Sequence, residues 1–256
     1  MSSVLITGAN GGIGRALATE FTRRGHRVVA TARNPERLDD LDVAERVGLD
    51  VSDDDSVAAA IAAAGDIDIL IPNAGVIFYA AVEATPLAEL QRLFDLNTVG
   101  AIRVAQAVLP QMRARGSGRL LFMSSIAGRT VLPPGGAYAA TKWALEALVE
   151  SLAIEIAPFG LQAALLEPGA VSSGALDDVL TYTLDDDPYA ALLQKGGARR
   201  VFTTPEQVAT EVADAAEGAT LPLRIPIGDE ARALLAARHA APEDVPFVRR
   251  GAGAAT

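Results

Sequence analysis

The sequence contains no cysteine and only two histidines among its 256 residues. The lack of cysteine excludes disulfides, thiolate catalysis and Cys-ligated metal sites, and the two histidines, His26 and His239, are too isolated to form a metal cluster. We therefore predict no metal site. Basic residues are also few, 22 against 32 acidic ones, and the net charge of -10 argues against nucleic acid or an anionic membrane as a partner. A small-molecule partner is favoured instead.

Long apolar runs are missing as well. No stretch reaches the roughly 18 apolar residues that a membrane-spanning helix needs, and no basic leader precedes the first apolar run at Val4. We expect a cytoplasmic protein without a membrane span. Aromatic residues make up only 5% of the chain, whereas half of its residues are hydrophobic. The core should therefore consist of small aliphatic side chains packed tightly between helices and strands.

Short aliphatic runs that favour strands alternate along the chain with longer helical patterns. This alternation is typical of a parallel β-sheet with helices on both faces. We predict one α/β domain over residues 1–256, with a doubly wound, Rossmann-like sheet of about seven strands. Residues 86–115 are predicted to form one long helix that bends near Pro110. Ser52 is predicted to cap the helix that ends at Ala64.

A glycine-rich turn follows the first predicted strand. Residues 7–14 read TGANGGIG and connect this strand to the first predicted helix. At such a junction the pyrophosphate of a dinucleotide can meet the N-terminus of a helix, and glycines let the backbone come close to the phosphate oxygens. A glycine motif alone is weak evidence, because any loop can be rich in glycine. Its place between a strand and a helix strengthens the prediction of a dinucleotide site.

A tyrosine and a lysine stand four residues apart on the helix predicted for residues 136–157. This spacing places Tyr138 and Lys142 on one face of the helix, where the ammonium could lower the pKa of the phenol and make it an acid/base catalyst. The chain has only two lysines, so such a pair has a small chance of arising at random. The alternative interpretation is two exposed residues that lie one turn apart by coincidence.

These elements belong to an ordered series of motifs. After the glycine turn come Asp50-Val51, Asn73-Ala74-Gly75, Asn97, Ser125, the pair Tyr138 and Lys142, and Pro168-Gly169. Each stands at the carboxyl end of a predicted strand or on the helix that follows it, where open α/β sheets bind ligands. Over residues 4–173 the series resembles the short-chain dehydrogenase/reductase family.

The resemblance implies catalytic roles for Asn97, Ser125, Tyr138 and Lys142. Tyr138 would give a proton to a carbonyl oxygen as hydride leaves a nicotinamide, or take it back in the oxidising direction. Ser125 would donate a hydrogen bond to the substrate oxygen. Asn97 would hold a water that links Lys142 to solvent in a proton relay, and helix packing is its alternative role.

The resemblance also implies that a nicotinamide dinucleotide binds along these turns. The residues that would hold it are Gly8, Asn10, Gly12, Ile13, Gly14, Arg33, Asp50, Val51, Asn73, Ala74, Gly75, Tyr138, Lys142, Pro168, Gly169, Val171 and Ser173. For Asp50 and Asn73, simple turn formation is the alternative explanation.

The choice between the two nicotinamide cofactors depends on the end of the second strand. An acidic residue in the place of Ala32 would bind the ribose of NAD, but here Arg33 follows and could pair with a 2′-phosphate. We therefore predict NADP(H) in preference to NAD(H). Two considerations argue against this prediction. Arg33 could be an ordinary solvated charge, and Gly11 stands where many NADP-preferring relatives have a basic residue.

The substrate depends on segments where the resemblance is weaker. Residues 172–200 would form a lid, and residues 229–256 form a carboxyl-terminal extension similar to that of family members acting on lipophilic carbonyl compounds. Candidate pocket walls are Phe78, Leu132 and the apolar lid residues Leu176, Val179, Leu180, Tyr182 and Tyr189, which could instead anchor the lid to the core. We expect a carbonyl reductase or alcohol dehydrogenase that interconverts an apolar ketone or aldehyde and its alcohol.

Two other functions are compatible with the same fold. An epimerase or dehydratase would use Tyr138 for different chemistry, and a non-catalytic regulator would only sense NADP(H). Chain length disfavours the first alternative, and the intact Ser125, Tyr138 and Lys142 disfavour the second. We also expect that a homodimer can form through the two long helices around Asn97 and Tyr138.

Overall fold

The computed structural model describes residues 1–173, 179–191 and 202–247. Within these ranges the strands are β1 Ser3–Ile6, β2 Arg27–Ala32, β3 Glu45–Gly48, β4 Ile69–Ile71, β5 Phe78–Tyr79, β6 Gly118–Met123, β7 Leu161–Pro168, β8 Leu180–Thr181 and β9 Arg224–Ile227. Seven of them form one sheet in the order β3-β2-β1-β4-β6-β7-β9, with every neighbouring pair parallel. The predicted Rossmann-like sheet is thus confirmed.

Helices cover both faces of this sheet. The α-helices in the described ranges are α1 Gly12–Arg23, α2 Asp54–Ala64, α3 Leu87–Phe94, α4 Gly100–Arg115, α5 Gly136–Ile156, α6 Pro205–Glu217 and α7 Asp229–His239. Apolar residues of α1 and α6 share one buried cluster, and those of α2, α4 and α5 share another. None of the helices in these parts of the chain is both long and apolar enough to cross a membrane.

Strand β1 shows why the central strands are continuously apolar. Val4 and Ile6 point into the cluster with α1 and α6, whereas Leu5 between them points into the cluster with α2, α4 and α5. All three are fully buried, because successive side chains of a strand face opposite sides and both sides of this sheet are covered. Because helices cover both faces of the sheet, the carboxyl ends of its strands remain as its open edge.

The predicted cap of α2 is wrong by one residue. Asp53, not Ser52, is the N-cap, and its side chain accepts a 2.6 Å hydrogen bond from the backbone N–H of Ser56. Ser52 is already engaged in the preceding turn, where its hydroxyl donates a 2.6 Å hydrogen bond to Asp50. A hydroxyl occupied in this way cannot also cap the helix.

The helix predicted over residues 86–115 is interrupted, but not at its proline. A π-helical turn, Asp95–Val99, separates α3 from α4, while Pro110 lies inside α4. Side chains of this turn bond to other segments: Asn97 to Val76, and Thr98 to the carbonyl oxygen of Thr141 at 2.8 Å. Such single wide turns often occur at functional sites.

A second, two-stranded sheet joins β5 and β8 in parallel. It connects the segment after β4 with part of the predicted lid. Of that lid, residues 174–178 and 192–200 lie outside the described residues, as do residues 248–256 of the predicted carboxyl-terminal extension.

Candidate active site

A cleft of about 1160 Å³ opens at the carboxyl ends of the central strands, the edge where open parallel sheets bind ligands. All the predicted cofactor-binding residues line it, and so do three of the four predicted catalytic residues. Together they are Gly8, Asn10, Gly12, Ile13, Gly14, Arg33, Asp50, Val51, Asn73, Ala74, Gly75, Ser125, Tyr138, Lys142, Pro168, Gly169, Val171 and Ser173. The fold thus brings these residues together, while their roles stay predictions.

The glycine turn at one end of the cleft is closed by the residues that follow β4. Thr7 Oγ1 accepts hydrogen bonds from the backbone N–H groups of Asn73 (2.9 Å) and Ala74 (3.0 Å), and Asn73 Nδ2 donates to the carbonyl oxygen of Thr7 (2.9 Å). A Cβ added to Gly14 would lie 2.2 Å from the carbonyl oxygen of Gly8. Glycine therefore lets the N-terminus of α1 border the cleft, where its partial positive charge suits an anion.

Two polar residues lie beside this turn, at the ends of β2 and β3. Arg33 is exposed and follows the buried Ala32. Asp50 accepts hydrogen bonds from the hydroxyl (2.6 Å) and the backbone N–H (2.9 Å) of Ser52. These bonds, with the nearby charge of Arg33, lower the pKa of Asp50. Asp50 thus forms a turn and also faces the cleft.

Ser125, Tyr138 and Lys142 meet at the other end of the cleft, where the end of β6 lies against α5. Tyr138 and Ser125 share a hydrogen bond. Lys142 is buried, its Nζ donates a 2.8 Å hydrogen bond to the carbonyl oxygen of Met123, and it lies 5.9 Å from the centroid of the Tyr138 ring. The three side chains therefore share one part of the cleft.

The pKa values of the pair differ from the expectation based on spacing. Burial raises the pKa of Tyr138 to about 12, a shift that the hydrogen bond with Ser125 opposes. Burial lowers the pKa of Lys142 to about 8, and the charge of Glu146 opposes that shift. The predicted lowering of the phenol pKa is thus not what the structure shows, because desolvation disfavours the charged form of each group.

Asn97 is the predicted catalytic residue that lies behind the cleft. Its Oδ1 accepts a 2.8 Å hydrogen bond from the backbone N–H of Val76, and its Nδ2 donates to the carbonyl oxygen of Val76 (3.0 Å) and to Thr141 Oγ1 (3.2 Å). Gly75 separates Asn97 from Lys142, since a Cβ there would lie 3.0 Å from Asn97 Oδ1 and 3.8 Å from Lys142 Nζ. These contacts give Asn97 a packing role, and the proton relay stays a prediction.

The predicted pocket walls were only partly right. Leu132 lines the cleft, whereas Phe78 is fully buried in a separate cluster and packs on Tyr182, with ring centroids 5.5 Å apart. The hydroxyl of Tyr189 donates to Glu83 at 2.5 Å. Of the remaining lid residues, Val179 and Leu180 are absent from the described wall of the cleft, and Leu176 lies outside the described residues.

Several wall residues were missed, and three of them carry side chains that could contact a substrate. They are Tyr79, Phe202 and Glu230, which all line the cleft. Phe78 and Tyr79 are successive strand residues that face opposite sides, so the sequence indicates that one of them can face the cleft but not which one. Glu230 lies in the first turn of α7 and accepts a 3.3 Å hydrogen bond from the backbone N–H of Ala170, a contact that no local sequence pattern indicates.

Comparison with known proteins gives a consistent result. Residues 2–181 match the sequence model of a family described as short chain dehydrogenase. Retinol dehydrogenase 8 of Homo sapiens is 38% identical over 182 residues, which covers 66% of this chain and 58% of that protein. The chain therefore matches less than two thirds of the length of this relative.

Solved structures resemble the chain over most of its length. A short-chain dehydrogenase from Streptomyces avermitilis has a TM-score of 0.85 at 36% identity, covering 93% of this chain and 92% of that one. An alcohol dehydrogenase from the archaeon Thermococcus sibiricus, complexed with 5-hydroxy-NADP, has a TM-score of 0.73 at 27% identity, covering 88% and 95%.

Proposed function

This chain belongs to the short-chain dehydrogenase family, a family of oxidoreductases, and on that premise we propose that it is an NADP(H)-dependent enzyme that interconverts an apolar ketone or aldehyde and its alcohol. The observation that carries the proposal is the meeting of Ser125, Tyr138 and Lys142 at one end of a cleft whose other end is the glycine turn. A hydroxyl, a phenol and an ammonium that converge in this way suit proton transfer to a carbonyl oxygen.

The residues around the cleft fit a nicotinamide dinucleotide. Gly12 and Gly14 at the start of α1 line the cleft, so the N-terminus of this helix could meet the pyrophosphate. Pro168, Gly169 and the residues that follow would hold the nicotinamide at the end of β7. When bound there, the cofactor supplies or accepts the hydride.

The protein's own residues would manage the proton. Because burial raises the pKa of Tyr138 to about 12, the phenol carries its proton at neutral pH, which suits a donor in carbonyl reduction. Ser125 would hydrogen-bond to the substrate oxygen. The ammonium of Lys142 would stabilise the phenolate that remains after the transfer, since an opposite charge favours the ionised form.

The preference for NADP(H) over NAD(H) rests on Arg33. It is exposed, lines the cleft at the end of β2 and follows a residue without a carboxylate. A guanidinium in this place could form a charge-assisted pair with a 2′-phosphate. The complex of the Thermococcus sibiricus enzyme with an NADP analogue supports this choice.

The apolar substrate class is supported by the wall of the catalytic end. Tyr79, Leu132 and Phe202 add apolar surface to the cleft that Tyr138 lines, and the name of retinol dehydrogenase 8 indicates a lipophilic alcohol for that relative. A homodimer through α4 and α5 is also part of the proposal, because Trp143, which is 42% exposed, is a large apolar side chain that such an interface would cover.

The test is NADPH consumption with a panel of ketones and aldehydes. We expect turnover that falls about a thousandfold in Tyr138→Phe, while NADPH binding, followed by its fluorescence, stays unchanged. Tyr79→Phe is the matched control, because it removes a hydroxyl from the same cleft wall without removing the proton donor. Product formed without net NADPH consumption would indicate an epimerase or dehydratase instead, and binding without turnover would indicate a sensor.

A further inference from the structure

One helical turn beyond Lys142, the buried side chain of Glu146 belongs to a charged cluster that the proposed chemistry does not use. The other charged members come from four segments: Glu150 on α5, Glu167 on β7, Arg224 on β9, and Arg129 in the turn after β6. Burying a carboxylate costs free energy unless it is paired and hydrogen-bonded. A buried glutamate beside a catalytic lysine therefore calls for a function.

Both carboxylate oxygens of Glu146 have partners. Oε1 accepts a 2.5 Å hydrogen bond from Ser124 Oγ, and Oε2 accepts a 2.8 Å hydrogen bond from Arg224 Nε. The backbone leaves room for this arrangement at Gly128, where an added Cβ would lie 2.8 Å from Ser124 Oγ and 2.9 Å from Glu146 Cγ. Three separate segments thus build one fixed position for the carboxylate.

Lys142 and Glu146 hold the end of β6 at two successive residues. Lys142 Nζ donates to the carbonyl oxygen of Met123 at 2.8 Å, and Glu146 accepts from the hydroxyl of the next residue, Ser124. Ser125 follows directly. Because α5 carries Tyr138 as well, these two contacts fix the distance between the β6 end and the helix on which the phenol stands.

Glu146 also acts on Lys142 through its charge. Burial lowers the pKa of Lys142 to about 8, and Glu146 is the charged group that opposes this shift. The same charge helps to raise the pKa of Glu167 to about 7, after the larger effect of burial. Arg224 faces Glu146 and Glu150, and Arg129 faces Glu167 at 3.5 Å. The charge of Glu146 thus affects the pKa values of two other groups, Lys142 and Glu167.

We propose that Glu146 is a positioning residue of the active site, which holds Ser124, and through it Ser125, against α5 and keeps the ammonium of Lys142 charged. The proposal rests on the proposed function, because it assigns a purpose to the charge on Lys142. Its electrostatic part is nevertheless measurable on the lysine itself, without any turnover.

The experiment uses the small number of lysines. Only Lys142 and Lys195 occur in the chain, so isotope-labelled lysine in a Lys195→Arg background leaves one NMR signal, whose pH titration reports on Lys142. Glu146→Gln keeps an oxygen for Ser124 but removes the charge. We expect the pKa of Lys142 to fall by about one pH unit and the high-pH limb of kcat/KM for carbonyl reduction to move down with it. Glu146→Asp should restore both.

Glu150→Gln is the matched control. Glu150 stands one turn further along α5, pairs with the same Arg224 and is half-exposed, so its loss should leave the titration of Lys142 unchanged. A wild-type titration in Glu146→Gln would overturn the proposal, and so would an equal shift in both variants, which would point to a loosened helix. A shift confined to Glu146→Gln in a protein that reduces no carbonyl would support the electrostatic role while refuting the proposed function.

Discussion

The two ends of the cleft are built from different groups. At the glycine turn the wall is backbone, with Thr7 and Asn73 tying the strand ends together and Gly14 packed against the carbonyl oxygen of Gly8. At the catalytic end the wall includes two side chains that ionise, and burial shifts the pKa of Tyr138 upward and that of Lys142 downward. The glycine turn therefore depends on the shape of its backbone, and the catalytic end depends on the charges of its side chains.

This difference separates the ways in which each end can fail. A site made of backbone is lost when a side chain enters the space that glycine leaves open, and pH has little effect on it. A site made of buried ionisable groups keeps its shape when a charge is removed but changes its protonation. Substitutions that add volume should therefore damage mainly the glycine turn, and substitutions that remove charge should affect mainly the catalytic end.

The largest effect is expected from Gly14→Ala. The new Cβ would meet the carbonyl oxygen of Gly8 at 2.2 Å and Asn73 Nδ2 at 2.7 Å, so either the helix or the turn must shift. We expect a loss of about 3 kcal/mol in the free energy of unfolding and an NADPH affinity that falls by more than about a hundredfold. Calorimetry and a fluorescence titration measure the two quantities.

Gly11→Ala is the control within the same turn. An added Cβ meets nothing within 4 Å there, and the backbone is extended, with φ at -171°. We expect stability to change by no more than about 1 kcal/mol. If the two alanine variants behaved alike, close packing of backbone would not be what defines this end of the cleft.

Arg33→Ala should have a smaller effect, and it tests the one charge at the backbone end on which the cofactor choice depends. Loss of a charge-assisted hydrogen bond to a 2′-phosphate is expected to raise KM for NADPH by about ten- to a hundredfold and to leave KM for NADH unchanged. Arg37→Ala is the control, because Arg37 is also exposed but is absent from the described wall of the cleft. An unchanged preference for NADPH in Arg33→Ala would remove the basis for this assignment.

The backbone end was the easier one to predict from the sequence. Buried parallel strands leave continuous apolar runs, and a glycine turn between strand and helix is visible as a local pattern. Ser125, Tyr138 and Lys142 line the cleft as predicted. Asn97 was predicted to belong with them but lies behind the cleft, because a regular helical period does not reveal the π-helical turn that carries it. Phe78 was chosen instead of Tyr79 because the strand register is not set by composition.

The charged cluster behind the catalytic end was not predicted at all. Glu146, Glu167 and Arg224 look like surface charges in the sequence, since charged residues are seldom buried. Their pairing depends on the order of β7 and β9 in the sheet, and Arg224 is 78 residues away from Glu146. Only the tertiary fold shows that Arg224 lies between these two glutamates, 2.8 Å from Glu146 and 4.0 Å from Glu167.

The smallest expected effect is a pH dependence of the free energy of unfolding, caused by Glu167 in the charged cluster behind the catalytic end. Burial raises the pKa of Glu167 to about 7, above its ordinary value of 4.5. The folded state therefore holds this proton more tightly than the unfolded state, and the stability that it contributes is fully present below pH 4.5 and is lost as the pH rises through about 7. Between pH of about 6 and about 8 the loss should be about 1 kcal/mol, or about 3 °C in Tm.

Glu167→Gln isolates this contribution, because the amide is neutral throughout that range. We expect wild-type protein to lose about 1 kcal/mol more than the variant between the two pH values, as measured by chemical unfolding. Glu150→Gln should follow the wild type, since Arg224 lowers the pKa of Glu150 and its stabilising effect disappears only in acid. A parallel pH dependence in wild type and Glu167→Gln would show that this carboxyl group titrates alike in the folded and unfolded states. The charge-dependent behaviour of the catalytic end would then be limited to Tyr138 and Lys142.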